Sequence, residues 1–327
     1  MKPYPLKFEP EFKERVWGGR GLEAFGFDLP EGAIGEAWVI GDHANGTTAA
    51  ANGPLAGKGL DEIRKAFGEE WLGENGAKSK NGRFPLLIKW LDCQDDLSIQ
   101  VHPNDHYENL AEGELGKTEM WYIVHAEPGA KIIYGLQPEV DRDTFAKAIA
   151  EDRILDTLQE VEVQTGDTFY IPAGTVHALK AGVIVAEIQQ NSDTTYRLYD
   201  YNRPGLDGKP RELHIGDSLN VTAYGDSGAT RKQTDLSKAH EWLNLAVSPY
   251  FVTNKGLVDG AWTIEQVSGT FQIIMVCEGN GQIAWSGQDD ADSLDLQPGD
   301  ALLIPANLES YTLSGNMTVL QSHLPTS

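Results

Sequence analysis

The chain is short of cysteine, of basic charge and of long apolar runs. Its 327 residues include two cysteines, Cys93 and Cys277. Two are too few for a disulfide framework, and each sits in an apolar strand-like run that reads as reduced core. Lys and Arg total 26 against 49 Asp and Glu, a formal charge of -23. A polyanion of that size repels nucleic acid and anionic lipid. No basic helix or helix-turn-helix segment offsets it. No run of about eighteen apolar residues exists to span a membrane. The stretch Met1-Lys2-Pro3-Tyr4-Pro5-Leu6-Lys7 lacks the apolar core of a signal peptide. These absences predict a cytoplasmic protein with no nucleic-acid or membrane partner. They also set a condition: an anionic substrate needs a positive pocket built against the protein's own field.

What is present is a series of short strands with Gly/Pro turns. Two segments read as helical. Leu60, Ile63, Phe67 and Trp71 mark one buried face of a helix over 59–75, with Asp61 and Glu62 in its first turn. Pro138 to Leu158 carries a second apolar side and is an insertion between strands rather than a crossover. Residues 202–240, rich in Gly, Pro and charge, are predicted to be a loop or extended wrap. The run Phe84-Pro85-Leu86-Leu87-Ile88-Lys89-Trp90-Leu91 is a buried strand with one lysine, either a pocket residue or a strand-end lysine reaching for water.

The most informative stretch is Asp96-Leu97-Ser98-Ile99-Gln100-Val101-His102-Pro103. Apolar and polar residues alternate, so Gln100 and His102 point the same way one pleat apart. Two donors at that spacing can share a metal ion if other strands bring more ligands. The same pattern also fits a strand with a polar outer face. Further on, Lys117 and Glu119 share a parity with Trp121 and Ile123.

An internal repeat separates these readings. Gly166-Asp167 leads to Pro172-Ala173-Gly174 and His177, and Gly299-Asp300 leads to Pro305-Ala306-Asn307 and Ser310. Ile123-Val124-His125-Ala126-Glu127-Pro128-Gly129 likewise resembles Met275-Val276-Cys277-Glu278-Gly279-Asn280-Gly281. Two similar all-β units follow, and short strands with Gly/Pro turns suggest double-sheet jelly rolls. Sliding the second match back sets Phe271 opposite Glu119 and Asn254 opposite His102. The second copy then has the scaffold without the ligands, as expected if the first copy alone holds a metal.

The stretch Gly166 to His177 resembles the second cupin motif, and Gln100-x-His102 followed by Glu119 resembles the first with Gln for His. Together with Val16-Trp17-Gly18-Gly19, Lys117-Thr118-Glu119 and the Asp193 to Arg197 stretch, the chain is similar to the short bacterial form of type I mannose-6-phosphate isomerase. The likeness covers most of residues 10–200. Family members often carry Ser-Trp-Glu where this chain has Ala37-Trp38-Val39, so Trp38 receives no substrate role. The resemblance implies an all-β fold of two cupin-type jelly rolls (double-stranded β-helices) with a small helical insertion. It sets a catalytic domain with an N-terminal extension at 1–240 and a metal-free cupin-like domain at 241–327. It further implies one zinc ion per chain held by Gln100, His102, Glu119 and His177, with Lys89, Lys117, Asp193 and Arg197 lining a sugar-phosphate pocket. The expected assembly is a monomer or weak homodimer.

The implied reaction interconverts mannose 6-phosphate and fructose 6-phosphate by moving a proton between C1 and C2 through an enediol(ate). Lys89 is a candidate base if burial and the metal lower its pKa. Asp193 is a candidate proton carrier at the other carbon, and Arg197 a cation for the enediolate or sugar. Lys117 suits either task or the phosphate. Two other readings stand beside this one. His102, Glu119 and His177 alone match the ligand set of iron oxygenases, and a non-catalytic sugar-binding cupin would use the same scaffold.

Overall fold

The computed structural model describes residues 1–233, 238–286 and 291–326. Its strands form one seven-stranded, one five-stranded and one eight-stranded sheet plus a two-stranded ribbon. Neighbouring strands in the large sheets run antiparallel. The seven-stranded sheet runs in the order Thr230–Gln233, Asp167–Ile171, Glu119–Ala126, Val183–Gln190, Leu86–Cys93, Ile34–Ile40 and Glu11–Gly19. The five-stranded sheet is ordered Leu158–Glu162, Lys131–Leu136, His177–Leu179, Ile99–Val101 and Tyr196–Tyr199.

Strand parity explains how two faces of one sheet do different work. In Leu86–Cys93, Leu86, Ile88 and Trp90 face a core shared with residues such as Phe271, Ile273 and Leu303 of the C-terminal unit. Leu91 and Cys93 face the other way, into a core with Trp121, Ile123, Leu179 and Val185. That second core lies between the seven- and five-stranded sheets. A strand buried on both faces shows no alternation of polarity, which is why this run reads as continuously apolar. Both cysteines are free and buried.

The five-stranded sheet is covered on its outer face. Ile99, Val101, Ala178 and Leu198 pack with Phe145 of the helix Arg142–Ala150, and with Ile154 and Leu158. This helix is shorter than the segment 138–158 predicted from its apolar side. Asp141 caps it, accepting from the Thr144 amide at 2.8 Å, and Ile154–Thr157 is a separate 3-10 turn. The earlier helix, Leu60–Ala77, is broken by left-handed glycines at Gly68 and Gly73. The wrap at 202–240 is not wholly extended: Ile215–Val221 is helical and Thr230–Gln233 adds a strand to the seven-stranded sheet. Among the described residues no helix is long and apolar enough to cross a membrane.

The eight-stranded sheet is built from Trp242–Val247, Val252–Glu265, Gln272–Ser286, Ala291–Leu296, Ala301–Ile304 and Ser310–His323, and is completed by Leu6–Glu9 and Ala49–Ala50. Leu6 pairs with Leu303 and Lys7 with Leu302, so the start of the chain is woven into the C-terminal sheet.

The register of the two units corrects the sequence-based match between them. Each unit has a bulge: Val124 is skipped between Ile123 and His125, and Cys277 is skipped between Val276 and Glu278. Beside these bulges Gly166 donates to the Ile123 carbonyl and Gly299 to the Val276 carbonyl. Cys277 therefore corresponds to Val124, not His125. Counting back, Glu119 opposite Ile171 corresponds to Gln272 opposite Ile304, not to Phe271. Asn254 pairs with Gln321 as Lys89 pairs with Glu187, so Asn254 corresponds to Lys89 and not to His102. The sequence match is anchored on Glu127-Pro128-Gly129 and Gly279-Asn280-Gly281, but the first follows the end of the strand Glu119–Ala126 and the second lies inside the longer strand Gln272–Ser286, so the two anchors are not equivalent.

Candidate metal and substrate site

The ligand candidates arrive from both sheets. Glu119 begins its strand in the seven-stranded sheet, while Gln100 and His177 face each other as a register pair in the five-stranded sheet. His102 lies just past the end of Ile99–Val101. Its carbonyl accepts from the Gly174 amide at 2.8 Å. Gly174 has φ +92°, and a Cβ there would stand 2.9 Å from the Val221 carbonyl oxygen. The glycine of the Pro-x-Gly turn is thus needed for its backbone, which ties His102 to the segment carrying His177.

His102, Glu119 and His177 are buried, and one ligand atom from each lies within 4.8 Å of the others. His102 Nδ1 is 2.9 Å from the Thr194 carbonyl and His177 Nδ1 is 2.8 Å from the Thr175 carbonyl. A carbonyl only accepts, so each ring carries its proton on Nδ1 and turns a bare Nε2 lone pair inward. Burial and the neighbouring Lys117 hold His102 well below its usual pKa, which keeps it neutral. Those lone pairs confront Glu119: His177 Nε2 is 3.2 Å from Oε1 and His102 Nε2 is 3.5 Å from Oε2. His102 Nε2 and both Glu119 oxygens are buried without a hydrogen-bond partner. Lone pairs aimed at a carboxylate repel unless a cation lies among them. This donor set fits a divalent ion, with orientation supplied by the two backbone carbonyls. The Gln100 amide is 3.4 Å from His177 Nε2, within reach of the same centre.

The wall beside this cluster is charged and dry. Lys89 lies opposite Glu187 and Trp38 in the sheet. Its Nζ is 3.3 Å from Glu187 and 3.5 Å from Glu36. Glu36 accepts from Arg15 Nε and Trp38 Nε1, both at 2.7 Å, and Glu187 from Trp121 Nε1 at 2.9 Å. Burial pulls the Lys89 pKa down, but Glu187 and Glu36 outweigh it and hold the ammonium above its ordinary value. The condition for a neutral Lys89 base is therefore not met by its protein surroundings. Burial works against charge on Glu36 too, but Lys89 and Arg15 outweigh it and bring its pKa to about 2. Glu187 is pushed upward by burial and by Glu119. Lys117 Nζ stands 3.1 Å from Glu119 Oε2.

A cavity of about 610 Å³ opens over this wall, lined by Lys89, Gln100, Lys117, Asp193 and Arg197 among others. Arg197 is the register partner of Gln100. It bonds neutral oxygens, Ser98 Oγ at 3.2 Å and the Glu212 carbonyl at 3.0 Å, and is in no ion pair among the described residues. Arg211 lines the same cavity but grips Asp200 with two bonds of 2.6 Å. Five of the eight residues singled out from the sequence line this cavity, and the other three, His102, Glu119 and His177, form the buried cluster beside it. Glu36 and Glu187 were missed, although Glu187 stands as a lone charge in the apolar run Val183–Gln190, the signal that drew attention to Lys89.

In the C-terminal unit the equivalent positions are neutral. Gln272, in the place of Glu119, accepts from Tyr311 Oη at 2.6 Å and from Gln321 Nε2 at 2.8 Å. Gln321 in turn accepts from Asn254 at 3.1 Å. Amides bonded to one another replace the carboxylates and lysine of the first unit.

Residues 6–115 match phosphomannose isomerase type I, catalytic domain, and residues 242–324 match mannose-6-phosphate isomerase, cupin domain. Mannose-6-phosphate isomerase ManA of Bacillus subtilis is 39% identical over 331 residues, spanning 99% of this chain and 100% of its own. The chain belongs to the type I mannose-6-phosphate isomerase family. Another relative, mannose-6-phosphate isomerase of Streptococcus mutans, is 37% identical with 98% of each chain covered. The crystal structure of the mannose 6-phosphate isomerase from Bacillus subtilis superimposes with a TM-score of 0.86 at 35% identity, covering 99% of this chain and 100% of that one. Phosphomannose isomerase from Salmonella typhimurium shares the fold, with a TM-score of 0.76 at 17% identity and 98% and 100% coverage. The two cupin-type jelly rolls read from the sequence are the fold of this isomerase family.

Proposed function

We propose that the protein interconverts mannose 6-phosphate and fructose 6-phosphate. The observation that carries this is the convergence of two imidazole lone pairs on a fully buried carboxylate beside a cavity lined by Arg197, Lys117 and Lys89, in a chain of this family. His102, Glu119, His177 and Gln100 would hold one zinc ion, with the catalytic unit at 1–240 and a metal-free unit at 241–327. The ion, when bound, supplies Lewis acidity towards oxygen charge that develops on the substrate. Arg197, in no ion pair among the described residues, holds the sugar phosphate or its enediolate. Asp193 lines the cavity as an acceptor and carries the proton between C1 and C2. Lys89, kept protonated by two carboxylates, serves as a fixed cation and oxygen-side proton donor rather than the base. Lys117 neutralises Glu119 at Oε2 and lines the cavity that would receive the substrate. Turnover of mannose 6-phosphate in heavy water, with deuterium read at C1 or C2 of the product, tests this. Deuterium incorporation at the turnover rate supports proton transfer through solvent-exchanging groups. Absence of turnover by the zinc-loaded protein removes the assignment.

A further inference from the structure

The turn 192–194 links two parts of the site. Asp193 faces the cavity, and the next carbonyl, that of Thr194, accepts the His102 Nδ1 proton at 2.9 Å. What holds this turn is a glutamate from a different segment. Glu114 Oε2 lies 3.4 Å from the Asp193 amide and 3.3 Å from Thr194 Oγ1, two donors on one oxygen, while Ser192 Oγ, 3.4 Å away, gives its single proton to the Leu115 carbonyl at 2.8 Å. Its other oxygen takes His43 Nε2 at 3.0 Å. The Asn45 amide donates to His43 Nδ1 at 3.1 Å, so the ring proton sits on Nε2 and points at Glu114. Asn45 then closes the circuit, giving its side-chain amide to Asp193 Oδ2 at 2.7 Å. The His43 side chain is 1% exposed and that of Glu114 17%, with Arg83 Nη1 3.9 Å away. The His43–Glu114 part of the circuit is therefore sheltered from water, while the Asn45–Asp193 bond is exposed.

We infer that Glu114 is a positioning residue with two branches, one orienting His102 through Thr194 and the other orienting Asp193 through His43 and Asn45. The inference rests on the site reading proposed above. The branches can be cut separately. Glu114→Ala removes both. Glu114→Gln keeps an oxygen for the turn but presents an amide N–H to His43 Nε2–H. Moving the ring proton to Nδ1 only transfers the clash to the Asn45 amide, so the Asp193 branch is lost either way. Asn45→Ala cuts that same branch from an exposed position and leaves the core untouched.

The experiment uses full-length zinc-loaded protein and two readouts: release of zinc to a chelator, and kcat and KM on mannose 6-phosphate. Glu114→Ala is expected to release zinc faster and to lose kcat, each by about 10- to 100-fold, the usual scale for a partner behind a ligand. Glu114→Gln and Asn45→Ala are expected to lose kcat by about tenfold at a KM within about twofold, with zinc release unchanged. Wild-type zinc release and kcat in a folded Glu114→Ala protein overturn the inference. So does wild-type kcat in Asn45→Ala. If the wild-type protein fails to isomerise the sugar phosphate, the substrate reading falls, while zinc release still decides the His102 branch.

Discussion

Lys89 and Glu36 show how individual residues set the chemistry of the wall. A buried lysine between two carboxylates is a cation that cannot be released cheaply, since removing one partner strands the others. The sign of its acid response follows from Glu36. Its folded pKa, about 2, lies below the ordinary 4.5, so its stabilising contribution is complete above 4.5 and is lost as pH falls towards 2. Glu36→Gln should therefore flatten the fall of Tm between those pH values relative to wild type. A parallel fall in both proteins counts against the pairing. At the ligands, His102→Ala should lose both bound metal and turnover; lost activity with full metal occupancy contradicts its place at the centre. Arg197→Ala should keep metal and lose kcat/KM by about 10²-fold or more, as expected for a charge matched to the transition state. A near-wild-type rate removes Arg197 from the mechanism.

At the scale of elements, the Pro172-Ala173-Gly174 turn matters more than its length suggests. Gly174 holds a left-handed φ that places its amide on the His102 carbonyl, and there is no room for a methyl group beside Val221. Gly174→Ala is expected to cost about 1–3 kcal/mol of stability by strain and to weaken metal retention. Urea unfolding and chelator competition measure the two effects, and unchanged values in both would show the backbone to be freely adjustable there. What the sequence made legible follows the same logic. Gln100, His102, Glu119 and His177 stand out because each is a metal-type donor at strand parity or in a turn motif, which is local information. Glu114 and Glu36 act through contacts spanning tens of residues and Arg211 through one 11 residues away, and their local pattern is that of ordinary surface charge. The misplaced register between the units has the same origin. Residue type alone does not distinguish Gly129, past the end of its strand, from Gly281, inside one, so Gln272 passed unnoticed beside Phe271. The helix Ile215–Val221 was invisible because its 7 residues are too few to show a period, although Ile215, Leu219 and Val221 pack partly buried against the outer core.

For the whole molecule, the charge of -23 and the cations at the cavity make opposing demands on a sugar phosphate. Far from the protein the substrate meets net repulsion; inside the cavity it meets Arg197, Lys117 and Lys89. Salt discriminates between the two. Raising ionic strength from about 10 mM to about 150 mM shortens the Debye length from about 30 Å to about 8 Å, which screens the distant field far more than contacts within the cavity. If the global charge governs the encounter, kcat/KM rises with salt, by about two- to threefold, while kcat stays constant. That is the expected result, because the excess of carboxylates is spread over the surface and much of the cavity's positive charge is neutralised locally by Glu36, Glu187, Glu119 and Asp200. A fall in kcat/KM over the same range would mean that the uncompensated Arg197 projects far enough to steer the phosphate in. The binding step would then be driven by attraction at the rim rather than by capture after diffusion past a repelling surface.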